Sequence, residues 1–115
     1  MSFEDTIAAL DWLPNGWVNS FVPQLKQELL DTLGIYADDF EILQAKEKYG
    51  AMRVYWTWKD REYTDNEIKR MNILYDYIED VISKYEDISM LTCRGCGEEN
   101  TIAYTLCSKC YKGTG

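Results

Sequence analysis

Histidine is absent from all 115 residues, and with it goes the side chain most used for proton transfer near neutral pH and for the ligand set of a hydrolytic zinc. A Gly-rich phosphate loop, a nucleophile elbow and a Ser and His arrangement are also missing, so none of the common catalytic motifs offers a reaction or a catalytic residue. No apolar run approaches the roughly 20 residues of a membrane span, and no membrane partner is expected. Basic residues are scarce. Twelve Lys and Arg stand against twenty Asp and Glu, a net charge of −8. Such a field repels phosphate, so direct nucleic-acid binding is not expected of the body. The acid is uneven: residues 1–50 hold nine acids and three bases, while residues 93–115 hold two acids and three bases, among them Arg94, Lys109 and Lys112. An acidic body fits a protein partner of basic character, with charge setting association rate and selectivity more than affinity. Acid also fills the opening Met1-Ser2-Phe3-Glu4-Asp5, where a secretory signal needs bases followed by an apolar run, and a cytoplasmic protein is expected.

What is present begins with sulfur. The four cysteines form two Cys-x-x-Cys pairs, Cys93/Cys96 and Cys107/Cys110. Two residues between thiols let both sulfurs meet one ion, and two such pairs supply the four soft ligands of a tetrahedral structural Zn2+ site. The same thiolates serve a rubredoxin-like iron centre, which spacing alone does not separate from zinc; zinc is the commoner occupant. Four thiolates fill the coordination shell and leave a dianionic ion, a poor activator of water, so a folding staple is expected and an enzyme is not. The ten residues Gly97 to Leu106 leave room for one tight hairpin between two knuckles. Gly97 suits the first, where amides turn toward sulfur and a Cβ crowds the turn.

The rest is long enough for one ordinary domain. Four tryptophans, nine tyrosines and three phenylalanines within a 46% hydrophobic chain exclude general disorder. Residues 1–19 read as irregular, with one helical turn near Phe3 to Leu10 and a turn at Pro14-Asn15-Gly16. Val22, Leu25, Leu29 and Leu33 predict a helix over Ser20–Leu33 that a left-handed Gly34 ends. Two strands follow, Phe40–Lys46 and Met52–Trp58, joined by Glu47–Ala51, with Val54, Trp56 and Trp58 facing the core and Arg53, Tyr55 and Thr57 alternating with them. Thr64-Asp65-Asn66-Glu67 reads as a capping box. It opens a helix over 65–87, about 34 Å long, whose stripe is Ile68, Met71, Tyr75, Ile78, Ile82 and Tyr85. That stripe serves an intramolecular core or a homodimer seam, so both monomer and homodimer stay open. The fold class is α+β: an α-β-β-α body, a β-hairpin packed on two helices, over 1–90, followed by a zinc ribbon over 91–115.

One further cluster invites a binding role. Lys46, Lys48, Tyr49 and Arg53 converge at the hairpin tip and would suit a phosphate or carboxylate; the competing reading is a cross-strand charge ladder with Arg53 opposite Glu41. The acidic pairs Asp38-Asp39, Glu79-Asp80, Glu86-Asp87 and Glu98-Glu99 read as solvated, since adjacent helical residues do not face each other.

The stretch Ile42-Leu43-Gln44-Ala45-Lys46-Glu47-Lys48-Tyr49-Gly50-Ala51-Met52-Arg53-Val54-Tyr55 resembles the Val-Lys-Glu-Lys-Phe-Gly-x-Leu-Arg-Phe-Tyr motif of a family of small bacterial and prophage proteins. Gly16-Trp17, an amphipathic helix after it, and a long helix leading into Cys93–Gly97 follow in the family's order, with Ala51-Met52 and the second cysteine pair as departures. The resemblance implies a phage or mobile-element origin and this architecture, and supplies no catalytic residue. Together the features point to a non-enzymatic zinc-binding protein–protein interaction module. The alternative is an acidic phage-encoded inhibitor that occupies the basic nucleic-acid groove of a host defence or transcription protein.

Overall fold

The computed structural model describes residues 2–98; the expectations for Cys107, Cys110 and the body of the ribbon lie outside them. Helix begins earlier than the composition suggested. Ser2 accepts the Asp5 amide at 3.3 Å while its own amide donates to the Asp5 carboxylate at 3.2 Å, a reciprocal cap that starts α1, Phe3–Ile7. A 3-10 turn over Ala8–Trp12 follows, then α2 over Asn15–Ser20. The helical turn expected near Phe3 to Leu10 is present, and the rest of the expected irregular opening is corrected to helix. Asp5 is the acid of a cap, and Phe3, Ile7 and Leu10 bury one face at spacings of four and three. Pro14-Asn15-Gly16 likewise starts a helix, with Pro14 at its N-cap.

Phe21, at φ −119°, separates α2 from α3, Val22–Leu33. Val22, Leu25, Leu29 and Leu33 are buried as their spacing predicts. Gly34 ends α3 at φ 54° and ψ −122°. The positive φ was expected, but the ψ belongs to the first central position of a type II′ turn and not to a left-handed helical cap. A second 3-10 turn over Gly34–Asp39 leads into the sheet.

Strands β1, Phe40–Lys48, and β2, Ala51–Trp58, pair antiparallel. Their ladder runs closer to the tip than expected, leaving only Tyr49 and Gly50 between them, at φ 54° and 82°. Two central residues with positive φ make the type I′ connection whose twist matches a hairpin. That turn sets the register. Arg53 stands opposite Lys46, and Glu41 stands opposite Thr57, so the expected Arg53–Glu41 ladder is not formed. A bulge between Ile42 and Gln44 places Leu43 outside the pairing and turns it to solvent.

Two strands alone are marginal, and side chains from both flanking helices stabilise these. Thr6 Oγ1 of α1 accepts the Ile42 amide at 2.8 Å. On the other edge, Ser89 Oγ accepts the Met52 amide at 2.8 Å and Glu86 accepts that of Val54 at 3.4 Å. These last two belong to α4, Asp65–Met90, which opens on the predicted Thr64/Glu67 capping box and runs antiparallel beside β2. Burial holds the Glu86 carboxyl above the usual carboxylate range, opposed by the Val54 amide. Arg61 clamps the β2–α4 connection: it grips Asp39 bidentately at 2.8 and 2.9 Å and reaches Glu67 at 3.1 Å. That grip holds the Asp39 carboxyl below its usual range. Met71, Ile78, Ile82 and Tyr85 face the core. Ile68 and Tyr75, expected in the same stripe, stay 44% and 48% exposed. Tyr75 packs one face on Trp56 at 5.3 Å, at the margin of the sheet.

α4 meets α3 through Glu28, which accepts from Tyr85 Oη at 2.8 Å and Lys84 Nζ at 2.6 Å. The Lys84 and Tyr85 hydrogen bonds hold the Glu28 carboxyl low. Burial first, then the hydrogen bond to Glu28, push the Tyr85 phenol from 10.0 up to about 12. A raised phenol favours its neutral form in the native state, so its contribution is complete below pH 10 and disappears as pH rises toward 12. That part of the stability is expected to vanish across this window. Alkaline denaturation of Tyr85→Phe should lack this loss; an identical profile in the variant would refute the assignment.

Candidate metal centre and hairpin face

The C-terminal end of α4 feeds directly into the first cysteine pair. The Leu91 amide donates to Ile88 at 3.0 Å and the Thr92 amide to Ser89 at 3.3 Å, closing the last turn. The chain then folds back on itself. The Cys93 amide donates to the Glu98 carbonyl at 2.7 Å, and the Gly97 amide to the Cys93 carbonyl at 2.8 Å. Within this loop the Gly95 amide points at Cys93 Sγ, 3.4 Å away. An amide aimed at sulfur stabilises the thiolate, the form that binds a metal. Gly97 takes φ 85°, which a Cβ strains. Cys93 is fully buried and Cys96 is exposed. The donor chemistry of Cys93 and Cys96 fits a soft tetrahedral ion. Cys107 and Cys110, which would complete the set, lie outside the described residues. Among the described residues no group of three or more His, Cys, Asp and Glu is arranged to hold a metal.

The knuckle sits on α2. Gly16 donates its amide to the Arg94 carbonyl at 2.7 Å, and Trp17 Nε1 donates to the Thr92 carbonyl at 3.0 Å. The approach leaves no room for a methyl group: a Cβ on Gly16 would lie 2.1 Å from the Cys93 carbonyl oxygen, and one on Gly97 would lie 2.8 Å from the Gly16 carbonyl oxygen. The last residue of α4 is Met90. No local sequence signal places Gly16 or Trp17 against the loop at Cys93; both contacts join residues far apart in the chain.

The hairpin is tied to the Cys93 loop by the Arg94–Glu47 ion pair at 3.0 Å, on the side of the strands opposite Lys46 and Arg53, since Glu47 shares its rung with buried Met52. The sequence-predicted cluster does come together, on the side of Lys46 and Arg53. Lys46 is the direct cross-strand neighbour of Arg53, and its ammonium sits 5.8 Å from the Tyr55 ring centre. Lys48 sits 5.6 Å from the ring of Tyr49, and Tyr49 is 88% exposed at the tip. Glu47 is engaged by Arg94 and not by the lysines beside it. Arg53 donates to the Met52 carbonyl at 3.1 Å. This is a cationic, aromatic face, and the Arg53 charge also acts on the Glu86 carboxyl.

No family model matches the chain, and neither does any curated protein or solved structure. The resemblance to the prophage family draws no support from these comparisons.

Proposed function

We propose that the chain is a non-enzymatic protein–protein interaction module whose tail is stapled by Zn2+ on Cys93, Cys96, Cys107 and Cys110, and whose partner seats on the outer face of the hairpin. When bound, zinc supplies a fixed crosslink between the two cysteine pairs and no reactive vacancy. The chain's own residues do the rest. Gly95 and Gly97 shape the loop, Arg94 ties it to Glu47 on β1, and the face carrying Lys46, Lys48, Arg53, Tyr49 and Tyr55 lies on the other side of the strands. The observation that carries this reading is the pairing of Lys46 with Arg53. An acidic segment of a partner would pair with the two cations of this rung while the exposed tyrosines supply contact area. A phage or mobile-element origin, implied by the resemblance alone, accords with a small adaptor of this kind.

The test is Lys46→Glu, which converts the like-charged rung into an ion pair and is expected to raise thermal stability by a few tenths of a kcal/mol up to about 1 kcal/mol. The same change should weaken capture of the cognate partner from host extract at least tenfold. A variant that is stabilised and binds undiminished removes the hairpin as the surface.

A second reading rests on a different face. Asp76, Asp80 and Asp87 are exposed on the solvent side of α4, the side on which an acidic inhibitor would meet a basic nucleic-acid groove. That reading expects binding that collapses with salt, competes with DNA and ignores Lys46→Glu.

A further inference from the structure

We infer that Gly16 and Trp17 are positioning residues of the metal site, so that α2 holds the knuckle in its liganding shape and metal occupancy is coupled to the order of the helical body. This goes beyond the zinc-stapled module and rests on Cys93 and Cys96 being zinc ligands. An isolated knuckle has no structure of its own without metal, because binding free energy is folding free energy. Here the loop has other supports. Its entry is held by the Trp17 indole, which donates to the Thr92 carbonyl at 3.0 Å, and its crest by the Gly16 amide, which donates to the Arg94 carbonyl at 2.7 Å. Both acceptors flank Cys93, whose side chain is fully buried.

Gly97, the residue after Cys96, closes against the Gly16 carbonyl and the Ser20 side chain, where an added Cβ would come within 2.8 and 3.3 Å. Two glycines about 80 positions apart thus meet backbone to backbone, an approach only residues without side chains permit. Trp17 is itself fully buried and passes the contact inward: its ring lies 6.1 Å from that of Phe21, and Phe21 lies 6.0 Å from Tyr85 on α4. Pre-holding the loop lowers the ordering cost of metal binding, and linkage makes the effect mutual: whatever the body adds to metal affinity, the metal adds to the Gly16 and Trp17 contacts.

The test uses the full chain, with zinc alone as the probe and affinity read by competition with a chromophoric chelator. Wild type is expected to bind one zinc. Gly16→Ala, whose methyl group collides with the Cys93 carbonyl, is expected to bind it at least tenfold more weakly. Alanine is the better helix former, so α2 itself is not weakened. Trp17→Phe keeps an aromatic ring and removes only the donor; a lost hydrogen bond predicts a weakening of about three- to tenfold. A readout independent of affinity is the exchange of the Trp17 indole proton and the Gly16 amide, both expected to speed up when zinc is stripped from wild type. If wild type takes up no stoichiometric zinc, the zinc reading itself is wrong. If wild type binds one zinc while both variants bind within twofold of it, or if indole and amide exchange ignore the metal, the positioning role is overturned and the zinc reading stands.

Discussion

Cys93→Ser is expected to abolish stoichiometric zinc binding, with an affinity loss of at least a thousandfold, and to release the knuckle from α2. The buried sulfur accepts the Gly95 amide at 3.4 Å. A serine hydroxyl at that position neither ionises at neutral pH nor matches a soft ion. Apparent binding energies of structural zinc run to about 10–16 kcal/mol, so losing one of four thiolates removes far more than any single surface contact. Cys107→Ser should do the same, and Cys96→Ser should lose the metal without disturbing a buried side chain, since Cys96 is exposed. Elemental analysis of dialysed protein checks all three and tells zinc from iron. Retention of one zinc per chain by Cys93→Ser would show that the ligand set is wrong.

The second large effect is expected at Trp17→Ala. Truncating a fully buried indole costs about 3–5 kcal/mol from lost transfer energy and the cavity left behind. The Thr92 carbonyl, which accepts Nε1 at 3.0 Å, is orphaned in the same step. A domain of this size holds about 5–15 kcal/mol in all, so the melting temperature should fall by roughly 15 °C or more. Trp12→Ala is the matched control. Trp12 is 89% exposed, and its removal should leave the melt nearly unchanged. A zinc-saturated Trp17→Ala protein melting within about 3 °C of wild type would contradict the packing described.

These two tryptophans also mark where reading the sequence succeeds and where it stops. All four suggest a packed globule, yet nothing local distinguishes Trp12, in solvent, from Trp17, at the centre. What was legible is set by near neighbours: the leucine spacing of α3, the Thr64/Glu67 cap and the alternation of β2. Of the N-terminal helices only a turn near Phe3 to Leu10 was legible, because Ser2 and Asp5 form a cap while Asp5 also looks like one more acid, and Pro14-Asn15-Gly16 reads as a turn although it starts α2. The register was missed because a two-residue turn and a bulge at Leu43 decide it, and no alternation pattern encodes either. The contact of Gly16 with the loop at Cys93 is invisible in the sequence because its partner Arg94 lies almost at the other end of the described chain.

The side chains that take up the Ile42, Met52 and Val54 amides bear on how this protein can be recognised. A visitor seeking to extend the ladder by donating its own strand beyond β2 would first have to evict Ser89 and Glu86 from those amides, and beyond β1 it would have to evict Thr6. Main-chain docking of the kind that serves many peptide readers is therefore disfavoured at both rims, as is growth into stacked, fibre-like ribbons. Recognition is left to what projects from the pleat, so discrimination among visitors rests on individual side chains and is open to tuning by single substitutions.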